Sequence, residues 1–152
     1  MSSFVTSNEV LALDLSKYRW KNRVIISFIS ESGYSEAHQL SKNRDLALNG
    51  WNDRDLVLIE IGPNNIVMIN GLSHNNMNTE NLKNYFSADK YDYLAILVGK
   101  DGNEKLRSQK AISNESIFKL IDTMPMRKQE MENKLINSFR SFLNNSEIHK
   151  KI

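Results

Sequence analysis

No cysteine occurs anywhere in this chain. That excludes disulfides, thiolate metal centres and every reaction that begins with a thiol. Long apolar runs are missing as well: none approaches the roughly 18 residues that a membrane helix needs. Charge of one sign is scarce, for the net charge is only +2 over 152 residues. A nucleic-acid binder would show a clustered basic face, whereas the basic residues of the C-terminal third are mixed with acidic ones. Histidine is limited to His38, His74 and His149, and none of them shares a helix face with a second ligand type at metal-binding spacing. No metal, no cofactor, no nucleic acid and no membrane span are expected.

What is present reads as one globular domain. Hydrophobic residues make up 40% and charged ones 25%, enough for a single hydrophobic core at this length. The start, "MSSFVTSNEVLALDL", lacks the basic opening and long apolar middle of a signal peptide. Val10-Leu11-Ala12 nevertheless has the small-residue spacing of a cleavage site. Residues 1–19 therefore read as an N-terminal arm, with a signal-peptide remnant up to Ala12 as one reading of it. A leader would place the protein in the periplasm or outside the cell; without one the expectation is cytoplasmic.

Three β-branched or aliphatic runs predict buried strands: "RVIISFIS" (23–30), "DLVLIEI" (55–61) and "YLAILVG" (93–99). Ser30, Ser32, Gly33 and Ser35 break the first and offer helix caps. Ala37, Leu40, Ala47, Leu48 and Trp51 then recur at helical spacing, with Gly50 as the stop. "GPNN" (62–65) is turn chemistry and "IVMI" after it predicts a short extra strand. The asparagine-rich segment 71–78 reads as a loop, and Thr79 as the cap of a short helix with Leu82, Tyr85 and Phe86 on one face. Asp101-Gly102 fits a tight hairpin turn. Ser113 caps a helix through Met124 with Ile117, Ile121 and Met124 on one side, and Pro125 ends it or begins the next. Met131, Leu135, Phe139 and Phe142 mark a final amphipathic helix.

Strand–helix–strand units favour parallel neighbours and a two-residue turn forces antiparallel ones. The pattern therefore predicts an α/β fold: a thioredoxin-like mixed β-sheet flanked by helices, with an added C-terminal helix. Residues 20–131 are expected to form the domain and 132–152 an extension packed on it. One stretch, "LVGKDGNEKLRSQK" (97–110), invites a phosphate-loop reading because Gly99-Lys100 follows an aliphatic run. Leu94 stands where the first glycine of such a loop belongs, and Asp101 where its hydroxyl belongs. The stretch is a hairpin.

"YRWKNR" (18–23), "RDLVLIEI" (54–61), "LVGKDGNEKLRS" (97–108) and "FKLIDTMPMR" (118–127) with "EM" at 130–131 occur in this order. Together they resemble the bacterial members of a peroxiredoxin-like family of unknown function. Related domains recur in vertebrate extracellular proteins, including the sushi-repeat proteins and the DRO, URB and Equarin group. The resemblance runs from about Leu15 to Met131. It implies a thioredoxin-like fold, often behind a signal peptide, and no established activity. In redox relatives of that fold the active cysteines follow the first strand, at the start of the first helix. Here that region reads "SESGYSEA" (30–37). Those relatives also carry a cis-proline just before the third strand, where this chain has "DKYDY" (89–93). Serine neither ionises near neutrality nor forms disulfides, so peroxidase and disulfide-exchange chemistry are excluded.

Two groups of residues are candidate ligand-binding sites. Arg19, Trp20 and Arg23 form the one short basic-aromatic cluster, with Arg107 and Arg127 as partners through the fold, and arginine forks hold carboxylates or phosphates. The competing reading has Trp20 plugging the core edge while the arginines pair with acids such as Asp101 or Asp122. The second group is Ser30, Ser32, Tyr34 and Ser35, around backbone N–H groups that can hold an anion at the first helix start. Ser32 or Ser35 with His38 lacks a Gly-x-Ser-x-Gly elbow, and helix capping explains these serines more simply. The acid pairs Asp53/Asp55 and Glu130/Glu132 read as solvated carboxylates, and Met124 and Met126 as core. The leading expectation is a non-catalytic module that binds a protein or small-molecule partner. A thiol-independent enzyme is the rival, and a homodimer through the C-terminal helix (Phe139, Phe142, Leu143) is the weaker third.

Overall fold

The computed structural model describes residues 11–74 and 77–150. The chain divides into two compact units, one ending at Ile117 and the other beginning at Phe118. Strand β1 (Leu11–Ala12) opens the described chain, followed by β2 (Arg23–Ile29), α1 (Tyr34–Leu46), α2 (Leu48–Asp53) and β3 (Leu56–Ile61). Next come β4 (Val67–Ile69), β5 (Leu72–His74), β6 (Met77–Asn78), α3 (Glu80–Phe86), β7 (Tyr93–Val98) and β8 (Glu104–Ser108). Helices α4 (Asn114–Asp122) and α5 (Pro125–Lys150) end it. Residues 1–10, most of the expected arm, lie outside the described residues.

The main sheet has six strands in the order β5-β4-β3-β2-β7-β8. β2 and β3 run parallel, in register from Arg23 opposite Leu56 to Phe28 opposite Ile61. Parallel neighbours need a crossover, and α1 with α2 supplies it. β7 lies antiparallel on the other side of β2, with Ile26 opposite Ile96, and β8 returns beside β7. A parallel pair with its helical crossover, then an antiparallel pair added beside the first strand, is the thioredoxin-like arrangement the pattern predicted. The β4–β5 hairpin extends that sheet past β3.

Side chains alternate across the strands. On one face Val24, Ile26, Phe28, Ile59, Leu94 and Ile96 form the core with Phe86 of α3 and with Leu13. The other face carries Ile25, Leu58 and Leu97, all essentially inaccessible, and α1 lies against β2 and β7 there. Trp51 of α2 is fully buried, and its indole N–H donates to Asn114 Oδ1 at 2.9 Å. Within the second unit, Ile121 and Arg127 are buried, whereas Leu135, Phe139 and Phe142 of α5 are exposed.

Several local expectations are corrected. The first crossover helix does not run to Gly50: it breaks at Ala47 (φ −132°), and Gly50 lies inside α2. Segment 71–78 is not all loop, because Asn70 and Gly71 take φ +50° and +80° and turn β4 into β5. That is the dipeptide a two-residue hairpin prefers. Tyr85 is exposed rather than buried with Phe86, its ring lying edge-on to the Phe86 ring with centroids 4.8 Å apart. Thr79 sits at the start of α3 without capping it; its hydroxyl donates instead to Asn65 Oδ1 at 3.3 Å.

Candidate functional site

β2 ends at Ile29 and the chain turns at once through Ser30 and a short 3-10 turn at Glu31–Gly33 into α1. The Ser30 N–H donates to the Asp92 carbonyl at 3.0 Å, and the Ser30 hydroxyl donates to the same oxygen at 2.6 Å. The hydroxyls of Ser30 and Ser32 lie 3.1 Å apart. Gly33 is buried against this corner: a Cβ there would overlap the Asp92 carbonyl oxygen and stand 3.2 Å from Tyr93 Cβ. The residue after the first long strand is thus tied to the residue before β7. This is the corner where the family resemblance places the thiol and the proline of redox relatives. Here it holds two serine hydroxyls and an aspartate carbonyl. The expected capping by serine is corrected: Gly33 occupies the N-cap of α1, and no side chain caps the helix.

Two grooves open beside this corner, at the carboxyl ends of β2 and β3, and both touch Ile29 and Pro63. Sheets with parallel strands bind ligands at that end. One groove, about 280 Å³, takes in Phe28, Ser30, Glu31, Lys83 and Tyr91. The other, about 470 Å³, runs between α1 and the sheet and is walled by Tyr34, Ala37, His38, Ile66 and Met68. Glu60 also lines it. Burial pushes the Glu60 carboxyl above its ordinary pKa; Arg44 pulls it back and Asp45 adds to the rise. Deeper on the same sheet face, the Ser27 hydroxyl donates to Tyr93 Oη at 2.9 Å, both residues being buried. Burial pushes the Tyr93 phenol up to about 12.

The structure brings Ser30, Ser32, Tyr34 and Ser35 together at the start of α1, with Tyr34 and Ser35 exposed. It does not gather the basic-aromatic group there. Arg23 opens β2 at the opposite end of that strand, is buried, and donates to the Arg54 carbonyl at 3.0 Å. Arg107 lies opposite Ile96, on the other sheet face from Arg23, and donates to the Phe86 carbonyl and to Glu104. Arg127 belongs to the second unit, where it pairs with Asp122 at 3.0 Å. Trp20 does not plug the core edge. It is 58% exposed, takes φ +67°, and has the Arg19 guanidinium 5.2 Å from its ring centroid. A third cleft, about 250 Å³, lies near Arg19, Asn22 and Asp101. Among the described residues no group of three or more His, Asp or Glu side chains is placed to hold a metal ion. No helix there is long and apolar enough to cross a membrane.

Glu60 is not among the residues that the motifs single out, yet the sequence carries a signal for it. It is the one charge inside "LVLIEI", and its parity puts it on the same face as Leu58. An acid pointing inward from a buried strand is rare enough to single out. Asp92 acts through its carbonyl, which no residue type reveals.

The strand order and this corner define the class: a thioredoxin-like domain without the thiols of redox members. The sequence matches a family described as "Domain of unknown function (DUF4174)" over residues 14–130, and the chain belongs to that family. Among solved structures it is similar to the reduced 2-Cys peroxiredoxin of Plasmodium vivax, at 15% identity and a TM-score of 0.49, covering 77% of this chain and 85% of that one. It is also similar to the mitochondrial 2-Cys peroxiredoxin of Plasmodium falciparum, at 14% identity and a TM-score of 0.47, covering 73% and 80%.

Proposed function

We propose that this chain is a binding module on a thioredoxin-like scaffold, with no thiol redox activity. The observation that supports this best is the Ser30–Gly33–Asp92 corner. Its close packing joins the first helix to β7, while its hydroxyls have no acidity to use near neutral pH. The binding surface we assign is the pair of grooves around Pro63, where exposed Tyr34 and Ile66 offer apolar contact. The test is hydrogen peroxide consumption with dithiothreitol as reductant. We expect the rate with protein to equal the buffer rate. Consumption above background that disappears on Ser32→Ala or Tyr34→Ala would overturn the reading.

An anion or thiol-independent reaction at Ser30, Ser32, Tyr34 and Ser35 ranks second. The unpaired N–H groups of the first turn favour it, but Glu31 and Glu36 place negative charge at the same turn. Inorganic phosphate binding that is lost when the four residues become alanine would promote it over our reading.

A second copy of the chain is the protein partner we propose. Leu135, Ile136, Phe139, Phe142 and Leu143 are all at least 44% exposed on α5, more than a solvated helix calls for. A monomer in sedimentation at high concentration would end that idea. The kinship with vertebrate extracellular domains and the bacterial membership rest on the quoted motifs alone, and we propose them on that ground.

A further inference from the structure

We propose that the groove between α1 and the sheet binds a small organic ammonium ion, whose charge pairs with Glu60 while its apolar body fills the groove. The inference rests on the binding-module reading and names the ligand class for it.

The groove exists because the β4–β5 hairpin carries the sheet beyond the reach of α1, which lies against β2 and β7. Met68 is opposite Glu60 in the register, so both face the side that α1 would otherwise cover. Pro63 and Ile66 close one end, and Ala37 and Tyr34 form the helical wall. The lining is mostly apolar and about 470 Å³ in volume, a common size for small-molecule sites. Within it stands a carboxylate that makes no hydrogen bond or ion pair to the described residues. A half-buried carboxylate with no protein partner is incompletely hydrated, and a charged donor from a ligand would complete its contacts.

The nearby cations do not already do so. Arg44 acts on Glu60 only at longer range, and its guanidinium lies 3.8 Å from Asp45, which offsets its charge. His38 is on the groove wall but is exposed to water. A carboxylate ligand would be repelled by Glu60; a neutral donor would hydrogen-bond to it but leave its charge unbalanced. Complementarity selects a cation.

The test uses three probes with one apolar body: 4-phenylbutylamine, 4-phenylbutanol and 4-phenylbutyrate, titrated at neutral pH and followed by amide chemical shifts and calorimetry. We expect the amine to bind about tenfold more tightly than the alcohol, the advantage of a charge-assisted hydrogen bond, and the butyrate most weakly. Shifts should centre on Ala37, Ser41 and Met68. In Glu60→Gln the amine and alcohol should bind alike, and Glu60→Asp, which keeps the charge, should restore part of the preference. Equal binding of amine and alcohol to the unaltered protein would overturn the ammonium assignment and leave the groove as a binding site. The same holds for a preference that survives Glu60→Gln. Binding of none of the three would remove this groove, and with it that part of the binding-module reading.

Discussion

Gly33→Ala is the sharpest perturbation available at the corner that carries our functional reading. The glycine has an ordinary φ of −97°, so backbone conformation does not require it. Space does. A methyl group there would overlap the Asp92 carbonyl oxygen, and the obstacle is backbone that cannot rotate away. Overpacking of this kind costs about 1–3 kcal/mol. Moving Asp92 also strains the two hydrogen bonds from Ser30, each worth about 1 kcal/mol. The loss of chain freedom in the unfolded state returns about 0.4–1 kcal/mol. The net expectation is a destabilisation of about 2–4 kcal/mol, or roughly 5–15 °C in Tm for a chain of this size. Urea denaturation followed by circular dichroism measures it, with the slope unchanged. Gly71→Ala is the control. There the added Cβ meets nothing within 4 Å, but φ is +80°, so a cost of only about 1–2 kcal/mol is expected from the left-handed backbone. Should Gly33→Ala lie within about 0.5 kcal/mol of the unaltered protein, a level typical of inconsequential surface changes, the tight corner is not real.

Ser27→Ala and Tyr93→Phe each leave one buried hydroxyl without its partner, at about 1–3 kcal/mol apiece. The double variant should cost clearly less than their sum, which a double-mutant cycle measures. Tyr93, raised to about 12 by burial, ionises later in the folded than in the unfolded chain. Stability therefore falls as pH rises from the ordinary tyrosine value toward about 12, and Tyr93→Phe should flatten that limb in alkaline unfolding curves. Glu60 is also raised by burial, so the folded state holds its proton more tightly. Its penalty appears as pH rises through the carboxylate range. Glu60→Gln should raise Tm at neutral pH and give no gain in strong acid. The two tryptophans differ in exposure, 58% at Trp20 against 0% at Trp51. Trp20→Phe should leave blue-shifted emission that acrylamide barely quenches.

The strands of the sheet were legible because burial on both faces writes itself as unbroken aliphatic runs. β2, β3 and β7 each show one, and Asp101-Gly102 announces the antiparallel return. The connection is longer than the two residues expected: it runs from Gly99 to Asn103, with the Gly102 N–H donating to the Gly99 carbonyl. The break at Ala47 was not legible, since no glycine or proline marks it and Gly50 drew attention three residues too late. The β4–β5 turn was legible but missed: Asn70-Gly71 was in plain view, and the asparagines that follow it made the segment look like loop. For the candidate site, the start of α1 could be located because its position relative to the first strand is topological. The distribution of the arginines could not. Their separation depends on strand register and on sheet face, and a shift of one residue in register would move Arg107 to the opposite face. The groove beside Glu60 depends on where helix cover stops, which is a property of packing rather than of any one segment.

The turn after the first long strand is held without a thiol. The Ser30 backbone N–H and hydroxyl both donate to the Asp92 carbonyl, and Gly33 allows the close approach. None of those contacts needs sulfur. These contacts fix the first turn of α1, and Tyr34 and Ala37 on that turn, with His38 just beyond it, line the larger groove. On the proposed binding-module reading, a rigid corner preorganises the groove and lowers the entropic cost of binding. It follows that Gly33→Ala should weaken ligand binding as well as stability, although Gly33 itself does not line the groove. A variant that lost stability by the expected amount but bound 4-phenylbutylamine with undiminished affinity would separate the two and break this link.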